Sequence, residues 1–534
     1  MKTMIASLTA ALLAFGLGAG AGAGAIAQTP KTVLIVAKNI DDIVSLDPAQ
    51  AYEFTGGEIV SNLYSRLLQI DPEDIAKIVP ELAESWTVSA DGRSIVFKLR
   101  AGTKFQSGNP VRPEDIVFSF KRVVALKKPP SFILWQLGWN ADTIDQMVRK
   151  TGDLEVTVGI GPNLSPAFAL NALAARPGVI VDQVTAMKNA VGEDLGNAWL
   201  SKNSAGTGPY ALKSWRPNEV VVLEANPNHF AGVPKTPQIV INHVIEPTAQ
   251  RLMLERGDID IARNLGPDQI DAVKDKPGLR VETKPGATLH FLSFNVKHEK
   301  LRNPALWEAM RYLIDYDGIA DRLMRGQFKV HQAFWPAGFA GAVTDRPYKL
   351  DVAKAKDILA KGGVPSGLAI DVDIINSAPF PEIAQSMQST FAQAGIKLNL
   401  LPATSAQVIT RYRARSHEAM LLYWGPDFMD PHSNAKAFAY NTDNSDGNYQ
   451  STTTWRNSYM PPANVSKMTM DALAERDAEK RLQLYRDLQL HVLKESPWAT
   501  TFQAQWQYAL RSNVKGFIHG PFADYIRYHK VVKE

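Results

Sequence analysis

The sequence has no cysteine in 534 residues. That absence excludes disulfides, thiolate metal sites, cysteine nucleophiles and lipid attachment through an N-terminal cysteine. It also lacks an H-E-x-x-H pair, a G-x-S-x-G elbow and any Gly-Lys dipeptide, which removes the common zinc-protease, serine-hydrolase and P-loop patterns. Neither sign of charge is in excess, because 58 Lys and Arg face 54 Asp and Glu for a net charge of +4. So small an imbalance on a chain of this size supports neither a nucleic-acid footprint nor a polybasic membrane patch, and nucleic acid is not expected as a partner. Ten histidines are present, and His298-Glu299 and His417-Glu418 are isolated neighbours. No metal site and no cofactor are expected from them.

What is present is ordinary globular composition, 45% hydrophobic and 21% charged. The length suggests about three compact units at roughly 100–200 residues per domain. The start stands apart. After Lys2 the chain is uncharged from Thr3 to Pro30, apolar from Ile5 to Leu17, rich in Gly and Ala from Gly16 to Ala25, and it carries Ala25-Ile26-Ala27. A basic start, an apolar middle and small residues before a cut predict a secretory signal peptide over 1–27, leaving Gln28 as the first mature residue. An exported chain without a lipid anchor points to the periplasm.

Hydrophobic spacing gives the elements. Thr32–Ala37 and Ser94–Leu99 read as strands, and Pro113-Glu114-Asp115 opens a helix carrying Ile116, Val117, Phe120 and Val123 on one side. Further on, helices are expected after Asn303, after Asp351 up to Gly362-Gly363, and from Pro381 to Ala394 before Gly395. They alternate with strands Ile370–Ile374, Lys397–Leu400 and Ala419–Tyr423. Strand, helix, strand is the signature of an α/β lobe with a largely parallel sheet. A single long helix is expected from Ala472 to Lys494, with its charged residues on a solvated face. Arg256-Gly257-Asp258 reads as a helix end and a turn into a strand, not as an adhesion motif.

Several strings occur in a familiar order. They are Leu46-Asp47-Pro48-Ala49, Asn62-Leu63-Tyr64, Pro80-Glu81-Leu82-Ala83-Glu84-Ser85-Trp86 with Ser89-Ala90-Asp91-Gly92, Phe97–Gly102, Glu114–Phe120, Gly206-Thr207-Gly208-Pro209-Tyr210, Arg256–Asp260 and Leu292–Asn295. Together they resemble family 5 of the bacterial extracellular solute-binding proteins, closest to its dipeptide- and oligopeptide-binding branch. Locally the same strings have plain readings: Gly206 and Gly208 permit a tight turn, and Trp86 and Phe97 are core residues.

The resemblance implies an α/β, two-lobed periplasmic binding protein of type II, with a hinge and an extra subdomain inserted in the N-terminal half. Lobe I would comprise 28–62, 206–285 and 500–534, the inserted subdomain 63–205, and lobe II 286–499. It also implies a non-enzymatic, monomeric receptor that encloses a ligand and delivers it to an inner-membrane ABC permease. In peptide-binding members the loop matching Tyr423-Trp424-Gly425-Pro426-Asp427-Phe428-Met429-Asp430-Pro431-His432 lies against the ligand and carries an aspartate for its α-ammonium. That places Asp427 as the amine anchor, Trp424 as a wall, and the backbone of Tyr423 and Gly425 as strand-like partners of an extended peptide. A local alternative makes Asp427 a helix cap, although Asp430 is better placed before Pro431.

Two departures from the family pattern matter. Where dipeptide-binding members have Arg-Pro-Tyr, this chain has Ala378-Pro379-Phe380, which turns the implication toward a longer peptide or another amine-bearing solute. The nickel-binding branch shares a Trp-Gly…Asp-Pro-His pattern, so His432 raises a nickel complex as an alternative, beside an opine-like compound or a saccharide. A secreted hydrolase is the alternative of a different class. The partner permease, the group that would receive a ligand carboxylate, and any added signalling or chaperone role are not specified by the sequence.

Overall fold

The computed structural model describes residues 29–71, 74–75, 77–448 and 450–534. The expected signal peptide, with its cleavage site after Ala27, lies outside the described residues.

The frame is one eleven-stranded sheet. Its strands are β1 (Val33–Lys38), β2 (Tyr210–Arg216), β3 (Val220–Ala225), β4 (Gln238–His243), β5 (Ile261–Ala262), β6 (Leu279–Phe294), β7 (Phe328–Val330), β8 (Ala369–Ile375), β9 (Lys397–Ala403), β10 (Ala419–Trp424) and β11 (Trp498–Arg511). They lie in the order β9-β8-β10-β6-β11-β5-β1-β4-β3-β2, with β7 paired to β11. Among the described residues, β6 and β11, 16 and 14 residues long, are the two strands that run through both halves of this order. A strand rises about 3.3 Å per residue, so each can cross from one packed body to the other. The architecture is α/β in two halves, as the sequence implies.

The sheet is mixed rather than largely parallel. β8 is parallel to β9 and to β10, and β1 to β4 and β5, but every pairing of β6 and of β11 is antiparallel. The reason is topological: β6 and β11 pass between the halves in opposite directions, so each meets its neighbours head to tail.

Local chemistry explains the helices. Asn303 accepts from the Ala305 amide at 3.0 Å and Asp351 from the Lys354 amide at 2.9 Å, so each caps the helix it precedes. Asp115 reaches back to the Arg112 amide at 2.9 Å in the helix opened by Pro113. Gly257 takes φ of 87° at the end of Pro247–Arg256, so Arg256-Gly257-Asp258 is a helix exit. The expected single helix over Ala472–Lys494 is instead two, Ala463–Ala474 and Ala478–Glu495. Asp477 accepts from the Lys480 amide at 2.9 Å and Glu475 from the Arg476 amide at 2.7 Å, so acids that look like a solvated face start a new helix.

Gly206 and Gly208 have a different cause from a tight turn. A Cβ at Gly206 would lie 2.2 Å from the Leu63 carbonyl oxygen, and one at Gly208 2.4 Å from the Leu63 carbonyl carbon. Two backbones touch there, which only glycine allows. Of the two aromatics, Phe97 is fully buried, whereas Trp86 lies half-buried against it.

A four-stranded antiparallel sheet, in the order Ala83–Val88, Ser94–Leu99, Glu155–Gly159 and Val148–Lys150, packs with Pro113–Leu126. Its core is continuous with that of the second half, through contacts such as Phe168 against Phe428 at 5.4 Å. A separate core gathers Leu34, Val36, Ile59, Val221, Ile239 and Leu510, and Val179, Val181, Ala186, Leu200 and Ala205 pack into it.

Candidate functional site

β10 delivers the site. Its four buried residues Ala419–Leu422 pair with β6, and the ladder ends at Trp424 opposite Leu289, so Gly425 lies beyond the register. The chain then turns through Pro426 and Asp427 into the helix Pro431–Ala439. Asp430 caps that helix, accepting from the His432 amide at 2.9 Å, and it pairs with Arg481 at 2.7 Å in the interior. Asp427 is therefore not the cap. Its own amide donates to Ser433 Oγ at 2.9 Å, which fixes the loop and leaves the carboxylate to face the cleft.

There the Asp427 carboxylate lines a cavity of about 240 Å³. Tyr423, Trp424, Gly425 and Asp427 all line it, so the four residues expected from sequence come together. Tyr52, Phe54, Ile133, Phe428, Phe522 and Tyr525 supply an aromatic and aliphatic wall. A mainly apolar cleft with few convergent polar groups is the usual form of a ligand site.

The electrostatics single out Asp427. Burial raises its carboxyl pKa from the ordinary value to about 6, against the opposing pull of the Tyr52 hydrogen bond and the Arg456 and Arg176 charges. Tyr52 donates its hydroxyl to Asp427 Oδ1 at 2.7 Å, and the Tyr52 phenol is itself pushed up, by burial first and then by the Asp427 charge. No cation forms an ion pair with Asp427 among the described residues.

Arg176, the cation of this wall, is already engaged. Its Nε donates to Asp524 Oδ1 at 2.9 Å, and its Nη1 to the carbonyls of Ala51 and Glu53 at 3.2 and 3.1 Å. Asp524 is held below its usual range, since burial, which would raise it, is outweighed by Arg176 and Arg66. Asp427 is thus the carboxylate of this cavity that lacks a cation.

A second cavity, of about 320 Å³, adjoins the first through shared Phe54, Phe522 and Ala523. Its polar floor is Glu58, which meets Lys38 at 2.8 Å and Arg263 at 3.3 Å and accepts from the Tyr528 hydroxyl. Burial would raise the Glu58 carboxyl, but those two cations outweigh it and hold it at about 2.

His432, which raised the nickel alternative, does not line either cavity. It is buried edge-on to Phe168 at 5.7 Å and near Tyr485, and burial lowers its pKa to about 3. Two groups had no local signal in the sequence: Tyr52, which lines the cavity 375 residues from its partner Asp427, and Arg456, which stands behind the cavity wall over the Trp424 ring at 6.0 Å.

Comparison with known proteins places these features in context. The family model described as bacterial extracellular solute-binding proteins, family 5 Middle, matches residues 77–446. A probable D,D-dipeptide-binding periplasmic protein of Escherichia coli (strain K12) is 28% identical over 508 residues, covering 94% of each chain. Di/tripeptide-binding protein 1 of Pseudomonas aeruginosa is 26% identical, over 89% of this chain and 90% of its own. Among solved structures, a periplasmic binding protein of Helicobacter pylori in complex with the peptide STSA superposes with a TM-score of 0.78 at 22% identity, covering 94% of this chain and 98% of its own. Among the described residues no helix is long and apolar enough to cross a membrane.

Proposed function

Because the chain belongs to family 5 of the bacterial extracellular solute-binding proteins, we propose that it is the periplasmic receptor of an ABC importer. It captures a peptide, or a related ammonium-bearing solute, between two lobes and delivers it to a membrane permease. Of the relatives named above, one is a probable D,D-dipeptide-binding periplasmic protein and one a di/tripeptide-binding protein, which supports this reading. The observation that carries it is Asp427, a carboxylate without a cation in a mainly apolar cleft. An enclosed ammonium needs a charged acceptor, and a desolvated carboxylate gains most from a cation.

In this proposal lobe I comprises 28–62, 206–285 and 500–534, the insertion 63–205, and lobe II 286–499. Val179–Ala205 of the insertion packs on the lobe I core. Asp427 receives the amine, Trp424 and Tyr52 wall the first residue, and the backbone of Tyr423, on the edge beyond its strand's last pairing with β8 at Leu421, and of Gly425 meets the extended chain. The protein acts as a monomer, binds no nucleic acid and leaves its ligand chemically unchanged.

Native mass spectrometry of the protein incubated with a synthetic Ala-X-Ala tripeptide library tests the proposal. Retention of intact peptides, lost when the library is N-acetylated, is the expected result. Cleaved peptides would indicate a hydrolase, and equal retention of both libraries would remove the amine anchor.

A further inference from the structure

Arg456 ends the short helix Thr453–Arg456, whose cap is Thr452, accepting from the Trp455 amide at 3.3 Å. The residue is only 9% exposed. Its guanidinium lies over the rings of Tyr412 at 5.1 Å and Trp424 at 6.0 Å. Among the described residues no carboxylate pairs with it, and its Nε–H is buried without an acceptor. That is costly. A buried guanidinium carries five donors and a charge that water no longer solvates, and ring faces offset only part of that loss.

A second orphan stands beside it. Trp424 lines the cavity, and its indole Nε1–H is also buried without an acceptor. Two neighbouring donors that lack an acceptor, one of them cationic, mark a place where an anionic acceptor completes the structure. The place adjoins the ligand cleft through Trp424, which lines the cavity and carries the Arg456 guanidinium over its ring at 6.0 Å; the Arg456 charge also acts on Asp427 and Tyr52. The other cation of the wall cannot serve, because Arg176 is engaged by Asp524 and two carbonyls.

We propose that Arg456, with the indole N–H of Trp424, receives the carboxylate of the ligand whose ammonium sits on Asp427. This deepens the peptide reading and rests on it. The cleft then recognises a zwitterion, with one anchor for each end, and an arginine from a different segment stands in for the one this chain lacks at Ala378-Pro379-Phe380.

The test uses the full mature chain and the same Ala-X-Ala library in three forms, free, C-terminally amidated and N-acetylated, read by native mass spectrometry and then by titration of the best-retained sequence. Wild type should bind the amide at least tenfold more weakly than the free acid. Arg456→Met should bind acid and amide alike, with a melting temperature no lower than wild type, because it removes an unpaired buried cation. Arg456→Lys, keeping a charge with fewer donors, should fall between. If wild type binds amide and acid equally while N-acetylation still abolishes binding, the carboxylate role of Arg456 is overturned and the amine anchor stands. If Arg456→Met keeps the preference for free acid, or only loses melting temperature, Arg456 is a packing residue. If no form binds, the peptide reading fails and this inference falls with it.

Discussion

The Tyr52 hydroxyl donates to Asp427 Oδ1 at 2.7 Å, joining two segments 375 residues apart across the cleft. The phenol occupies one acceptor position of the carboxylate. It is a neutral donor, so it satisfies one lone pair of the carboxylate without cancelling its charge. The site is held in shape yet remains electrostatically incomplete, which leaves the charge of Asp427 for a ligand cation.

Asp427→Asn should therefore cost affinity far more than stability. Removing one partner of a buried ion pair costs about 3–5 kcal/mol, or roughly two to three and a half decades in Kd. The pH dependence follows from the carboxyl at about 6. Its folded pKa lies above the unfolded value, so the stability it contributes is present below about pH 4 and lost as pH rises through 6. Ligand binding needs the ionised form. Affinity should thus fall about tenfold per pH unit below pH 6 and stay nearly flat above it. Calorimetry from pH 4.5 to 8 on wild type and the Asn variant checks both points: a flat wild-type profile would refute the assignment.

Tyr52→Phe isolates the hydrogen bond from the ring. The Asp427 carboxyl then loses a group that lowers its pKa, so the acid limb of the affinity profile should move to higher pH. The phenyl ring remains against Phe132, which Tyr52 meets edge-on at 6.3 Å. Stability should change by only about 0.5–1.5 kcal/mol, the net value of one hydrogen bond. A limb that stays in place would show that Tyr52 does not tune Asp427.

Glu58 predicts acid sensitivity of the fold itself. Its carboxyl is held at about 2, below the unfolded value. The stability it contributes is therefore present above about pH 4.5 and lost as pH falls through 2. Glu58→Gln leaves Lys38 and Arg263 without their shared counter-charge and should cost about 3–5 kcal/mol at neutral pH. Its stability should also vary less than wild type between pH 5 and 2, as thermal unfolding across that range will show.

The loop Tyr423–Asp427 came from the resemblance, which could be carried over because the segment is contiguous: one strand end and one turn bring all four residues to the cavity. Strand and helix positions around Asn303, Asp351 and Gly395 were legible for the same reason, since caps and hydrophobic spacing are local. Tyr52, Arg176 and Arg456 were not, because their role depends on segments that meet only once both halves fold. Nor was the break at Glu475–Asp477, where acids that act as caps look no different from acids on a solvated helix face. The mixed sheet escaped because periodicity reports that a strand exists and not which way its neighbour runs.

β6 and β11 pair from Leu279 to Pro285 and resume at Leu289, with the register shifted between. Gly286 sits in that gap, and its carbonyl accepts from Gln503 Nε2 at 2.8 Å. A Cβ at Gly286 would lie 2.4 Å from Trp506 Nε1, and Trp506 lines the second cavity. An interrupted ladder is where a strand pair can bend, because few backbone bonds must break there. Gly286→Val drives a branched side chain into the indole, an overpacking that costs about 1–3 kcal/mol and resists the bend. Small-angle scattering should show wild type shrinking on saturation with peptide, while Gly286→Val shrinks less and binds at least tenfold more weakly. Two contacts already bridge the cleft sides, Tyr52 to Asp427 and Arg476 Nη2 to the Asp91 carbonyl, each at 2.7 Å, and the second lies away from the ligand wall. Arg476→Ala should therefore lower affinity slightly without blocking compaction. If Gly286→Val compacts fully and binds as wild type does, the bend lies elsewhere and these two strands are a rigid bridge.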